Sequence, residues 1–211
     1  MPHFPGKSAS ADRQNTDDPY MHSDASDRVY VHSHGLCESD RVGAGTRVWA
    51  FADIMAGAIV GRDCNICDHA YVEGGVTIGD RVTIKNSVLL FDGVTIEDDV
   101  FVGPAVVFTN DLRPRTAIKR STDELLPTVV RAGASLGAGV VVVCGLTIGP
   151  CAFVGAGAVI TRDVPAHGFV VGNPGRLIGW ACECGKRLGD KLICECGHAY
   201  EEAADGLVKI R

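Results

Sequence analysis

Two short stretches hold residue types able to do chemistry. Near the C-terminus, Cys182-Glu183-Cys184-Gly185 is followed by Cys194-Glu195-Cys196-Gly197, so four thiols fall in two glycine-terminated pairs. Four thiolates suit a structural, tetrahedral Zn2+ with no open coordination position. The spacing is CxC rather than the commoner CxxC, His198 is an alternative ligand, and redox thiols or a disulfide pair are the competing readings. The second stretch is NICDHAYVEGGVTIGD, residues 65–80, whose His69 is the only histidine between His34 and His167. An imidazole there can act as a general base, because histidine ordinarily titrates near neutrality, and the neighbouring Asp68 can fix its tautomer. Contact with a substrate and a plain corner residue are the alternatives for His69.

The elements that must carry these residues follow from a repeat of six. Aliphatic side chains recur at Leu36, Val42, Val48, Ile54, Val60, Ile66, Val72, Ile78, Ile84, Leu90, Ile96 and Val102, then Phe108, and again from Val130 through Leu136, Val142, Ile148, Val154 and Ile160. Small or β-branched residues stand two positions earlier, as at Ala70, Val76, Val82, Ala134 and Ala158. Each unit, such as Val76-Thr77-Ile78, alternates inward and outward like a very short strand, and Gly79-Asp80-Arg81 must then turn. Three units close a triangular coil, and residues 18 apart stack at the strand spacing of about 4.8 Å. The predicted fold class is all-β, a parallel β-helix prism.

Stacking gives the polar residues addresses. Asp68, Asn86 and Pro104 fall in one corner column, with His69, Ser87 and Ala105 in the next. If the interruption after Phe108 keeps the order of corners, Gly137-Ala138 and Gly155-Ala156 continue this edge as nearly bare backbone. A flexible pantetheine arm can lie against such backbone, although Gly-Ala pairs also suit tight turns. Asp92 and Asn110 share a different corner, as sugar contacts or as capped turns. The interruption itself, residues 109–128, concentrates Arg113, Arg115, Lys119 and Arg120. These cations can bind the diphosphate of a nucleotide sugar or the phosphates of a cofactor. A solvated loop balanced by Asp111, Asp123 and Glu124, or a clasp onto a second subunit, are the other readings.

Composition narrows the classes. The chain has 211 residues and a net charge of −6, which gives no reason to expect nucleic-acid binding. Nine cysteines without a hydrophobic leader suggest a reduced, cytoplasmic protein. No apolar run approaches the roughly 20 residues that span a bilayer. Residues 1–29 are polar and predicted to be a disordered tail, 30–178 the β-helix domain with its excursion at 109–128, and 179–211 a zinc-ribbon-like module. The remaining cysteines, Cys37, Cys64, Cys67, Cys144 and Cys151, fall within the repeat, where core packing is expected.

The hexads VTIGDR, VTIEDD, LTIGPC and AFVGAG resemble those of the hexapeptide-repeat acyltransferases. FTNDLRPR, the excursion, then VCGLTIG narrow the likeness to bacterial N-acetyltransferases of 3-amino nucleotide-linked sugars, over about residues 30–180. The resemblance implies a left-handed coil and a homotrimer, with acetyl-CoA and a nucleotide-linked amino sugar bound between adjacent prisms. It also implies that Asn86 holds the amino group and that some members work without a protein base. The closing segment, VITRDVPAHGFVVGNPGR, follows the way these enzymes end, with Arg162 and Arg176 available to CoA phosphates or simply part of a terminating loop.

The chemistry expected is aminolysis of a thioester. A neutral amine attacks the acetyl carbonyl, an oxyanion forms, and the CoA thiolate leaves and can itself take up the proton. O-acetylation of a sugar, or acetylation of another small amine, remains an alternative, and a hydroxyl acceptor would need His69 more. A zinc carbonic anhydrase on the same prism needs several converging histidines, whereas the repeat holds one. A non-catalytic trimeric scaffold, its zinc ribbon recruiting a partner, is the reading from a different class.

Overall fold

The computed structural model describes residues 28–118, 121 and 124–211. The expectation of a disordered tail therefore falls almost wholly outside the described residues, as do Lys119, Arg120 and Asp123. Among the described residues there is no α-helix, and no helix is long and apolar enough to cross a membrane.

Mostly two- and three-residue strands build three sheets of nine, seven and five strands, wound in rotation and parallel throughout except for the last strand of the nine. Arg47–Val48, Asn65–Ile66, Thr83–Ile84 and Phe101–Val102 follow one another in the nine-stranded sheet, with Arg47 opposite Asn65 and Asn65 opposite Thr83. That is the predicted step of 18. The inward residues form one unbroken column from Val48 to Ile160, including Ala70, Val76, Val82, Ala134 and Ala158, and apart from the partly buried Leu146 they are 2% exposed or less. The column thins at its start, where Leu36 is 51% exposed although its hexad places it inward. The tight β-turn spacing leaves little choice of residue inside: only aliphatic or small side chains fill a coil this narrow.

We call the corner between the nine- and seven-stranded sheets the first edge, that between the seven- and five-stranded sheets the second, and the remaining one the third. The excursion leaves from the second edge, after Val107–Phe108, and the chain re-enters at Thr128–Val130. Phe101 pairs with Ser135, 34 positions on, so this coil holds 16 extra residues and the order of corners survives.

The prism ends in Gly168–Val171 and an antiparallel partner, Arg176–Trp180. Beyond it the two cysteine pairs form matching knuckles. The Cys182 N–H donates to the Lys186 carbonyl and the Gly185 N–H returns to the Cys182 carbonyl, both at 2.8 Å. Cys194, His198 and Gly197 repeat this at 2.8 and 2.9 Å. Gly185 (φ 84°) and Gly197 (φ 95°) close each knuckle in the left-handed region, which is why glycine ends both motifs. A hairpin, Tyr200–Ala203 with Gly206–Lys209, docks on the prism through a bridge between Ala166 and Gly206. A Cβ at Gly206 would lie 2.3 Å from the Ala166 carbonyl oxygen, so only glycine permits this approach.

Candidate active site and candidate metal centre

On the first edge one position per coil adopts positive φ. Phe51 (59°), His69 (60°), Ser87 (60°), Ala105 (57°), Gly139 (67°) and Gly157 (70°) succeed one another, each N–H donating to the preceding coil. This aligns Asp68 with Asn86, Pro104, Ala138 and Ala156, so the edge runs from polar side chains to bare backbone as its spacing predicts. The Asn86 amide donates to the Asp68 carboxylate at 3.1 Å, joining successive coils.

His69 behaves differently from the expectation that Asp68 orients it. The positive φ of His69 turns its side chain along the column, where its ring stacks on Phe51 with centroids 5.0 Å apart and planes 12° apart. Phe51 in turn stacks on His34 at 5.5 Å. Asp68 instead serves Asn86. His69 and Asn86 are both exposed, as a group acting on a bound substrate must be.

Within the glycine track the roles divide. A Cβ at Gly137 would lie 2.5 Å from the Ala156 nitrogen, so stacking requires that glycine, and one at Gly155 would lie 2.8 Å from the Val171 side chain, which would have to shift. At Gly139 and Gly157 a Cβ would meet nothing within 4 Å. The same left-handed conformation is held in earlier coils by Phe51, His69 and Ser87, so backbone geometry alone does not demand glycine there. What glycine at 139 and 157 provides is open space beside the exposed Ala138 and Ala156. Neither was singled out from sequence; their place in the His69 column is the signal that could have found them.

Arg176 opens the last strand, just after the Gly172-to-Gly175 turn whose Gly172 carbonyl accepts the Val159 N–H, and so lies at the far end of the first edge. Arg162 follows Val159–Ile160 and belongs to the second edge. The second edge also holds Asp92, Asn110, Arg113 and Arg115, a sheet's width from His69 within one chain. Asp92 is used locally, its carboxylate accepting the Gly75 N–H at 2.6 Å and its own N–H donating to Glu73 at 2.7 Å. The Asn110 carbonyl accepts the Leu126 N–H at 3.1 Å and closes the excursion. Arg113 and Arg115 are exposed; the Arg113 N–H donates to the Asp111 carboxylate, and the Arg115 guanidinium to the Pro114 carbonyl.

In the knuckles, the sulfurs of Cys182, Cys184, Cys194 and Cys196 all lie within 4.8 Å of one another, with Cys182 to Cys196 and Cys184 to Cys194 each 3.5 Å. A tetrahedron with Zn–S bonds of about 2.3 Å has edges of roughly 3.8 Å, so the four sulfurs fit that ion closely. His198 sits at the rim, Nδ1 3.7 Å from the Cys182 sulfur. Burial opposes ionisation of Cys182, but hydrogen bonds from the Tyr200 hydroxyl, the Cys184 backbone and the Cys196 and Cys184 thiols outweigh it and draw the thiol down to about 6. Cys194 moves the other way: a backbone hydrogen bond from Cys196 lowers it, but burial and the surrounding thiols push it up to about 12. Of the other cysteines, Cys64, Cys67 and Cys144 are buried as expected, whereas Cys37 and Cys151 are only partly so.

Comparison with known proteins follows the same lines. No family model matches the sequence. The chain is 48% identical over 189 residues to a dTDP-3-amino-3,6-dideoxy-alpha-D-galactopyranose 3-N-acetyltransferase of Aneurinibacillus thermoaerophilus, covering 88% of this chain and 97% of that one. The chain belongs to the hexapeptide-repeat acyltransferases. This acyltransferase shares its fold with perosamine N-acetyltransferase of Caulobacter crescentus, solved with CoA and GDP-perosamine (TM-score 0.52, 23% identity, 61% of this chain and 53% of that one). It shares it also with AntD, an N-acyltransferase of Bacillus cereus solved with dTDP and coenzyme A (TM-score 0.56, 19% identity, 63% of this chain and 80% of that one).

Proposed function

We propose that this acyltransferase transfers acetyl from acetyl-CoA to the 3-amino group of a dTDP-linked amino sugar. The observation that carries the reading is the 48% identity across nearly the whole of a dTDP-sugar 3-N-acetyltransferase. UDP-linked 3-amino sugars are the second acceptor class.

In this reading the first edge divides the work. The Asp68 carboxylate holds the Asn86 amide by its nitrogen, leaving the amide oxygen to accept a hydrogen bond from the sugar amine. His69, fixed by its stack on Phe51, takes the proton as nitrogen bonds to the thioester carbon and the CoA thiolate leaves. The open backbone at Ala138-Gly139 and Ala156-Gly157, above the stacked Gly137 and Gly155, accommodates the pantetheine arm, and Arg176 its phosphates. Arg162, Asp92, Asn110, Arg113 and Arg115 lie on the second edge. They reach the same substrates only if a second copy sets that edge against the first, which is the arrangement of a homotrimer. We infer further a left-handed winding, a cytoplasmic location, a place in surface-polysaccharide synthesis, and a structural Zn2+ on Cys182, Cys184, Cys194 and Cys196.

The test is release of free thiol from acetyl-CoA against a panel of dTDP- and UDP-linked 3-amino sugars. Wild type is expected to react fastest with a dTDP-linked acceptor. Asn86→Ala should raise KM, and His69→Ala should lower kcat by about 100-fold or more, the usual size of general-base catalysis. A loss below threefold for His69→Ala would transfer the proton to the leaving thiolate, and no release with any amine acceptor would overturn the reading.

A further inference from the structure

The third edge ends in a cluster that the acetyl-transfer chemistry does not use. Its positive-φ column passes from Arg81 and Asp99 to Gly133, Cys151 (52°) and His167 (61°), the His167 N–H donating to the Pro150 carbonyl. Cys151 and His167 are therefore stacked corner residues of the last coils. The first knuckle brings Glu183 against them. The thiol sulfur, an imidazole nitrogen and a carboxylate oxygen of these three residues lie within 4.8 Å of one another.

His167 is 6% exposed, so its ring needs a reason to be inside. Its Nδ1 lies 2.9 Å from the Ala181 carbonyl, which accepts a proton and cannot give one. Nδ1 therefore carries a hydrogen, and in the neutral ring Nε2 is the nitrogen able to bind a cation. Metal-ligating histidines are oriented by a backbone carbonyl in this way. The Tyr200 ring meets the His167 ring edge-on at 4.8 Å and holds it in place. The groups facing Glu183 are the Lys209 ammonium at 2.7 Å and the His198 ring at 3.7 Å, both on the same carboxylate oxygen, Oε2.

We propose that Cys151, His167 and Glu183 form a second metal site, separate from the four-cysteine centre, that takes a zinc-class divalent cation. Thiolate, imidazole and carboxylate together suit Zn2+, and three protein ligands leave a fourth position for water. The cluster borders a cleft lined also by Ala166, Asp205 and Lys209, which gives an ion access from solvent. On binding, Cys151 releases its thiol proton to solvent and forms a sulfur–metal bond. Two ligands come from the prism and one from the knuckle, so the ion clamps the C-terminal segment onto the coil.

Full-length protein is loaded with excess Zn2+, desalted and analysed for bound metal. Wild type is expected to retain two ions per chain, and Cys151→Ser and Glu183→Gln one each. The double variant Cys184→Ser/Cys196→Ser should also retain one, now dependent on Cys151. Cobalt loading supplies a second readout: the Cys184→Ser/Cys196→Ser protein should show charge transfer from a single thiolate, lost on adding Cys151→Ser. Circular dichroism checks that each variant keeps the prism. If wild type, Cys151→Ser and Glu183→Gln hold the same number of ions, the second site does not exist. If Cys184→Ser/Cys196→Ser leaves the metal count unchanged, it is the four-cysteine centre that fails.

Discussion

The prism and the C-terminal knuckles solve the same problem, holding a chain of tight turns together, by opposite means. In the prism each coil presents aliphatic side chains to the coils above and below, and the buried column from Val48 to Ile160 is unbroken. In the knuckles the buried cluster among the described residues is Cys182, Leu188, Cys194, Tyr200 and Leu207, and two of its five members are the sulfurs of the candidate metal centre. Burying three ordinary side chains yields a few kcal/mol each, far less than ordering about 30 residues costs. The prism is held by repetition. The knuckles have no such repetition, and in the proposed reading an ion on their four cysteines takes its place.

The largest effect that follows is on the prism side. Ile96 is 0% exposed in mid-column, opposite Ile78 and Val130 on the neighbouring coils. Ile96→Asp places a carboxylate where no partner or water reaches it, a cost of several kcal/mol that a single coil cannot avoid. Loss of the β signal in circular dichroism, and insoluble protein, is expected with or without zinc. A soluble, cooperatively melting Ile96→Asp protein would mean that coils stack independently of their core.

Removing the proposed ion should have a smaller and local effect. For Cys184→Ser/Cys196→Ser, or wild type treated with a strong chelator, residues 181–211 should become sensitive to protease while the prism's circular dichroism and melting stay close to wild type. If both regions melt together, the hairpin docked at Ala166 and Gly206 contributes to the prism, and the two regions are not independently stabilised.

The same contrast explains what was legible in the sequence. Core positions could be named one by one, because a narrow coil dictates an aliphatic at every sixth residue, and the two cysteine pairs announce themselves by type. Corner residues were harder. Their columns follow from counting, but where a side chain points depends on φ, which spacing does not reveal. Thus His69 and Asp68 are neighbours in the chain yet serve different partners, Phe51 and Asn86. Asp92 reads from sequence as a sugar contact or a capped turn, and its carboxylate accepts the Gly75 N–H, as Asp80 accepts that of Arg62 and Asp98 that of Asp80. Aspartates at these corners satisfy N–H groups of the preceding coil, a structural task with the same residue type as a functional one. Gly139 and Gly157 differ from Gly137 and Gly155 in their positive φ and in the open space a Cβ would meet; counting gives the column, but not that space. The Cys151, His167 and Glu183 cluster spans the prism and a knuckle, and their separation in sequence hid it.

The smallest expected effect concerns the prism's surface. Arg81 meets Asp99 through two hydrogen bonds, 2.7 and 2.9 Å, with Asp98 also within reach at 3.4 Å. The hydrogen bond from Arg81, more than its charge alone, holds the Asp99 carboxyl below the usual carboxylate range. A carboxyl depressed in the folded state stabilises above its unfolded pKa, and that contribution fades as pH falls through the lower, folded value. Asp99→Asn should therefore melt slightly below wild type at neutral pH, the gap closing in acid. Both side chains are about half exposed, so water and salt screen the pair and the gap should shrink with added salt as well. A gap that persists in strong acid or high salt would give this corner a structural role beyond charge. One as large as that of a core substitution would show that the prism depends on its edges as much as on its interior.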